Sequence, residues 1–147
     1  MIISIQQLDR VTGRVTMVDG SFDPIHDGHV EYFRQAAELG DPVICNVAPD
    51  SWTVLKHPVL LEREKRAVVL DAIRYIDFVF LAEMSTLEAL RTIRPKRYVK
   101  GNDWKARGGI PADEQAACDE IGIQVVYLDS MLNSSTLLID GIRENTR

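Results

Sequence analysis

Asp19-Gly20-Ser21-Phe22-Asp23-Pro24-Ile25-His26-Asp27-Gly28-His29-Val30 separates two patterns of different period. An apolar run, Val15 to Val18, leads into it. A helical pattern from Val30 to Leu39 leaves it, with apolar residues returning every three to four positions. The stretch therefore joins a strand to a helix through a loop that contains glycine and proline. Two of the chain's three histidines, His26 and His29, lie in this loop; the third is His57. A strand end, a flexible backbone, the free N–H groups of a helix start and two imidazoles together suit an anion. The loop is expected to bind the phosphates of a nucleotide and to promote reaction at one of them.

Outward from this loop, strand and helix patterns alternate. Strands are expected at Arg14–Asp19, Val43–Ala48, Asp77–Ala82, Arg97–Lys100 and Ile123–Leu128. Helices are expected at 30–39, 61–76, 85–93, 113–121 and 135–144. In the long helix Leu61, Val68, Val69, Ala72 and Ile73 form the apolar stripe. Ser85, with Glu88 three residues on, has the pattern of a capping box. Strict alternation predicts an α/β fold: a Rossmann-like open parallel sheet of five strands with helices on both faces. Residues 1–13 form a lead-in, with Ile2, Ile3, Ile5 and Leu8 available to pack a short helix or arm. Residues 14–147 form one domain, without repeat or linker. Ligands of such sheets bind beyond the carboxyl ends of the strands. The loops expected there are 19–29, 49–60, 83–84, 101–112 and 129–134.

Composition sets bounds on the partners. The chain is 46% hydrophobic and 27% charged, with a formal net charge of −5. That balance argues against a general nucleic-acid binder. No apolar run reaches the roughly 18 residues of a membrane span. The start, Met1 to Gln6, lacks the basic and apolar segments of a signal peptide, so a cytoplasmic protein is expected. Cys45 and Cys118 have no metal-ligand spacing, and Cys45 reads as a buried thiol. His26 and His29 lack a suitably spaced third ligand, so a zinc site is not expected.

Gly20-Ser21-Phe22-Asp23 followed by His26-Asp27-Gly28-His29 resembles the cytidylyltransferase-like branch of the nucleotidyltransferases, whose signature is a His-x-Gly-His loop. Ile73-Arg74-Tyr75-Ile76-Asp77 and Gly101-Asn102-Asp103-Trp104 resemble the glycerol-3-phosphate cytidylyltransferases. Val99-Lys100-Gly101 and the lead-in Gln7-Leu8 resemble the nucleotidyltransferase half of bacterial ADP-heptose synthases. The resemblance covers roughly residues 14 to 142. It implies transfer of a nucleotidyl group from CTP or ATP to a phosphorylated alcohol or sugar, with release of pyrophosphate.

The resemblance also distributes roles. His26, His29 and Lys56 are the expected catalytic residues. Gly20, Ser21, Phe22, Asp23, Gly28, Arg66, Gly101, Asp103, Trp104, Ser135 and Thr136 are expected to bind the nucleotide. Lys105 and Arg107 are candidates for the acceptor's phosphate. Arg63 is an alternative to Arg66, because the segment carries one extra residue. Asp23 either helps hold Mg²⁺ or pins the loop through backbone N–H groups; Asp before Pro favours pinning. Where glycerol-3-phosphate enzymes carry Arg-Thr-x-Gly-Ile, this chain has Ser130-Met131-Leu132-Asn133-Ser134. The missing arginine weakens assignment to that group.

CTP is expected as the donor because of Gly101-Asn102-Asp103-Trp104, with Mg²⁺ accompanying the triphosphate. An ATP-dependent adenylyltransferase acting on a sugar 1-phosphate or a phosphopantetheine-like acceptor is the alternative. A nucleotide-binding module without turnover is the rival from another class. A homodimer, through the N-terminal arm or residues 85–112, is also expected.

Overall fold

The computed structural model describes residues 1–129. Ser135, Thr136 and the expected final helix lie outside the described residues. The strands are β1 (Ile2–Ile3), β2 (Thr16–Gly20), β3 (Val43–Val47), β4 (Phe78–Leu81), β5 (Arg97–Lys100) and β6 (Gln124–Tyr127). All pairings are parallel, in the order β1-β4-β3-β2-β5-β6. The open parallel α/β sheet expected from alternation is present, but it has six strands rather than five. The lead-in supplies the extra one: Ile2 pairs with Val79 and Ile3 with Phe80. Two residues are too short to show the alternation that marks a strand. A 3-10 turn at Ile5–Arg10 follows and buries Leu8.

The helices are α1 (Asp27–Ala37), α2 (Asp50–Thr53), α3 (Arg63–Asp71), α4 (Thr86–Ile93), α5 (Asn102–Ala106) and α6 (Ala112–Ile121). Alternation along the strands divides the core in two. Val18, Cys45, Val79 and Val99 pack with Tyr32, Phe33 and Ala36 of α1 and with Ala67 and Leu70 of α3. Met17, Ile44, Phe80 and Tyr98 pack with Ala89, Leu90 and Ile93 of α4 and with Cys118 of α6. Each face of the central strands is thus covered. This explains why all five residues of β3 are buried.

The expected stripe of the 61–76 helix is corrected. Helix α3 is shorter, and its buried residues are Arg66, Ala67 and Leu70. Leu61 is 37% exposed, Val68 65% and Val69 42%. A charged residue occupies the buried stripe, which rotates the true face away from the one traced by apolar residues alone. Residues 101–106 are also corrected, because α5 forms where a turn and loop were expected. Ser85 caps α4 as anticipated: its side chain accepts from the Glu88 N–H at 3.2 Å.

Strand β2 is the origin of two directions of growth. The chain proceeds from β2 to β3 and β4 on one side, then crosses to β5 and β6 on the other. The crevice between the carboxyl ends of β2 and β5 is therefore the topological switch point, where ligands of open α/β sheets bind.

Candidate active site

His26 is the N-cap of α1, with extended backbone, and its Nδ1 accepts the Gly28 N–H at 3.1 Å. His29 sits three residues later, and its Nδ1 accepts the His26 N–H at 3.3 Å. The imidazoles thus close a reciprocal capping box, a task usually done by hydroxyls and carboxylates. Because each Nδ1 accepts, the neutral tautomer of both rings carries its proton on Nε2. The rings stack with centroids 3.8 Å apart. Burial, with a further contribution from His26, lowers the His29 pKa to about 3. His29 is therefore a neutral imidazole near pH 7, able to donate through Nε2–H.

Phe22 holds this pair from below. Its ring lies edge-on to His29 at 5.1 Å and to Phe33 at 5.2 Å. A Cβ on Gly20 would stand 3.0 Å from the Phe22 Cζ, so glycine there makes room for the ring. Asp23 is fully buried, and its two carboxylate oxygens accept the N–H groups of Leu60 and Leu61 at 2.8 and 2.9 Å. This ties the histidine loop to the segment entering α3.

Arg66 makes a second tie. Its guanidinium is fully buried and donates to the carbonyls of Leu61 at 3.0 Å, Ala48 at 3.1 Å and Ser21, and to Asp50 Oδ1 at 2.5 Å. Every polar atom of its fork thus meets the protein's own oxygens. Arg63 is likewise engaged, with the Ala82 carbonyl at 2.8 Å and with Glu83 and Glu64.

A cavity of about 370 Å³ opens at the switch point. Of the expected residues, Gly20, Ser21, Lys56 and Trp104 line it. Its floor comes from residues that the sequence reading did not select. Asp19, at the end of β2, accepts Lys100 Nζ of β5 at 2.6 Å and faces the hydroxyls of Tyr98 at 3.2 Å and Thr86 at 3.3 Å. Tyr98 also stands 3.2 Å from Glu114 Oε1. Burial raises the Glu114 pKa, assisted by Asp19, and raises that of Tyr98 for the same two reasons. Asn46 of β3 completes the floor. One signal for these residues is present in the sequence: Asp19, Asn46 and Lys100 are polar residues at or next to the carboxyl ends of their strands.

The histidines stand apart from this cavity. They belong to the α1 side of the sheet, whereas the floor lies on the α4 and α6 side, with Gly20 and Ser21 at the boundary. Gly101 is buried, and Asp103 keeps a buried Oδ1 with no partner among the described residues. Lys105 and Arg107 are exposed and do not line the cavity. The Arg107 guanidinium instead lies 5.2 Å from the Trp104 ring and 3.8 Å from Asp103 Oδ2. Among the described residues there is no group of three or more His, Cys, Asp or Glu that could hold a metal ion. Nor is any helix among them long and apolar enough to cross a membrane.

Known proteins share this architecture. The lipopolysaccharide core biosynthesis protein of Thermoplasma volcanium superposes with a TM-score of 0.67 at 22% identity, over 80% of this chain and 98% of that one. The bifunctional protein HldE of Gluconobacter oxydans is 33% identical over 136 residues, which is 90% of this chain and 28% of that protein. The FAD synthase of Pyrococcus abyssi is 40% identical over 92 residues, covering 59% of this chain and 62% of that protein. The chain thus spans less than a third of the HldE protein. The sequence model of the cytidylyltransferase-like family matches residues 17–139, from β2 through the histidine loop and beyond β6, and the chain belongs to that family of nucleotidyltransferases.

Proposed function

We propose that this chain moves CMP from CTP to a phosphorylated or phosphonate small alcohol or sugar and releases pyrophosphate. The observation that carries the reading is the paired imidazoles at the start of α1, both with Nδ1 accepting a backbone N–H, which places the proton of each neutral ring on Nε2. An oxygen of the acceptor phosphate attacks the α-phosphorus in line. The bond from that phosphorus to the bridging oxygen breaks, and the electron pair leaves with pyrophosphate. No covalent enzyme intermediate is required, so positioning and charge stabilisation supply the catalysis. His26 and His29 donate to the α-phosphate oxygens, where negative charge grows in the transition state.

Lys56, on the segment after α2, neutralises charge on the departing phosphates. Ser135 and Thr136, beyond the described residues, are assigned to the same triphosphate. Mg²⁺, where it accompanies the nucleotide, would supply charge neutralisation on the phosphates. With both Asp23 oxygens accepting from backbone, that residue serves the loop. Arg66 acts in the same way, positioning Ser21 and Ala48 from behind.

A second donor has a specific observation in its favour. The similarity to an FAD synthase, whose product contains an adenylyl group, supports ATP. Pyrophosphate release from CTP and ATP, across a panel of phosphorylated acceptors, decides between them. His29→Ala is expected to lower turnover about 100-fold or more without unfolding the chain. Near-normal turnover in that variant removes the histidine role. Nucleotide binding without pyrophosphate release from any acceptor makes the chain a binding module instead.

A further inference from the structure

The segment that carries Lys56 to the cavity inverts the usual order of burial. Between Ser51 and Leu60 the two buried residues are Thr53 and His57, whereas Trp52, Val54 and Leu55 are 47%, 56% and 72% exposed. Both ends of the segment are pinned. Asp50 Oδ1 accepts from Arg66 at 2.5 Å, and the N–H groups of Leu60 and Leu61 donate to Asp23. In the middle, the Thr53 carbonyl accepts the Lys56 N–H at 3.0 Å and the His57 N–H at 3.2 Å. Pro58 has no N–H to extend this turn. The buried His57 ring supplies a donor in its place, with Nδ1 2.8 Å from the Pro58 carbonyl oxygen. A carbonyl only accepts, so Nδ1 carries a proton, and the neutral ring has none on Nε2 to offer a phosphate. This is the opposite of His26 and His29, whose Nδ1 atoms accept.

We propose that His57 is a positioning residue: by donating to the Pro58 carbonyl, its buried ring fixes the turn that aims Lys56 at the triphosphate. The proposal rests on the assignment of Lys56 to the departing phosphates. A lysine is a point charge on a flexible stem, so the place of its backbone decides where that charge can reach. The ties at Asp50 and at Leu60 and Leu61 hold the ends of the segment and leave its middle to be fixed from inside. His57 adjoins Lys56 in the chain and is 7% exposed. Ordering this turn before the nucleotide arrives reduces the entropy lost on binding. The fold itself depends little on the ring's hydrogen bond. Pro58 is exposed, so water can meet its carbonyl once the donor is removed. Leucine has a similar volume and fills the same buried space. Position and stability are therefore separable at this residue.

The test is calorimetric binding to the full chain of CTP and CMP, and of ATP and AMP, all with Mg²⁺, alongside Tm. The quantity read is the ratio of monophosphate Kd to triphosphate Kd. Lys56→Ala should shrink that ratio about tenfold or more, as loss of one charged contact implies. His57→Leu should shrink it about fivefold or more, with monophosphate affinity unchanged and Tm within about 3 °C of wild type. His57→Asn places an amide nitrogen where Nδ1 stood and should recover the ratio to within about twofold. His57→Gln places its nitrogen where Nε2 stood and should not recover it. In a Lys56→Ala background, His57→Leu should change the ratio by less than about twofold. The contrast between the Asn and Gln variants keeps the test decisive if His57→Leu does not fold. An intact ratio in folded His57→Leu, equal ratios in the Asn and Gln variants, a further loss in the Lys56→Ala background, or a loss that tracks Tm overturns the proposal. A ratio untouched by Lys56→Ala fails the assignment of Lys56 and the proposal with it, a pattern distinct from a ratio that needs Lys56 but not His57.

Discussion

His29 shows how a single ring couples fold to pH. Its pKa in the folded chain is about 3, through burial and then His26, against 6.5 as the ordinary value. Between those values the unfolded chain binds a proton that the folded chain refuses. Stability is therefore present in full above pH 6.5 and is lost as pH falls below it. The contribution is on the order of 1 kcal/mol per pH unit, reduced by partial solvation of the ring. Urea unfolding at about pH 7 and about pH 5.5 should show wild type losing more stability than His29→Asn. Identical losses in the two proteins would contradict the assignment. Glu114 works in the opposite sense, because its raised pKa adds stability that fades as pH rises, but it is common to both proteins and cancels. Arg66 is the other residue whose environment decides its meaning. Its charge in the sequence suggests a phosphate contact or a solvated helix position, and nothing local signals that it is buried. Removing the fork strands the Ser21 and Ala48 carbonyls and leaves Asp50 without its cation. Arg66→Met should cost about 3 kcal/mol by chemical denaturation. Arg66→Lys should recover only part of it, since one ammonium cannot span the acceptors of a planar fork. A loss within about 0.5 kcal/mol for Arg66→Met would show that the network is not structural.

At the scale of elements, strands were more legible than helix faces. The central strands β2 and β3 are short, largely apolar runs bounded by turn residues, buried over most of their length. The buried face of α3 differs from the stripe traced by its apolar residues because Arg66 occupies it. Helix α5 was hidden by its length of five residues and by Gly101 before it. The link from α5 to α6 carries Trp104 and Glu114 to the cavity, and it turns on Gly109. That glycine has φ +101°, and a Cβ there would lie 2.8 Å from the Tyr127 hydroxyl. The same hydroxyl accepts the Ile110 N–H at 2.9 Å, so it cannot withdraw without losing a bond. Gly109→Ala should lower stability by about 1–3 kcal/mol, visible as a reduced Tm. In a Tyr127→Phe background the added cost should be smaller, because the clash goes and only the backbone strain stays. Equal costs in both backgrounds would place the whole effect in the backbone.

At the scale of the molecule, alternation announced a parallel sheet but not its strand order. That order depends on crossovers and packing between distant segments, which local patterns do not record. The same limit hid the cavity floor, since Asp19 and Lys100 meet across β2 and β5 from 81 positions apart. The histidine loop was legible because its chemistry is contiguous. The lead-in was legible as apolar and illegible as part of the sheet. Ile3, Leu8 and Val11 are 4%, 3% and 3% exposed, and all join the core on the α4 side. The Val79 N–H also donates to the Met1 carbonyl at 2.9 Å, continuing the β1–β4 pairing. If residues 1–13 were an appended arm, deleting them would leave the domain nearly as stable as before. As an edge strand and core lid, they bury three apolar side chains at roughly 1.5–3 kcal/mol each. Their loss approaches the 5–15 kcal/mol that typically separates folded from unfolded chains. Thermal unfolding of the 1–13 deletion should therefore show a Tm lowered by about 10 °C or more, or no cooperative transition. A Tm within about 3 °C of the intact chain would instead make β1 dispensable to the sheet.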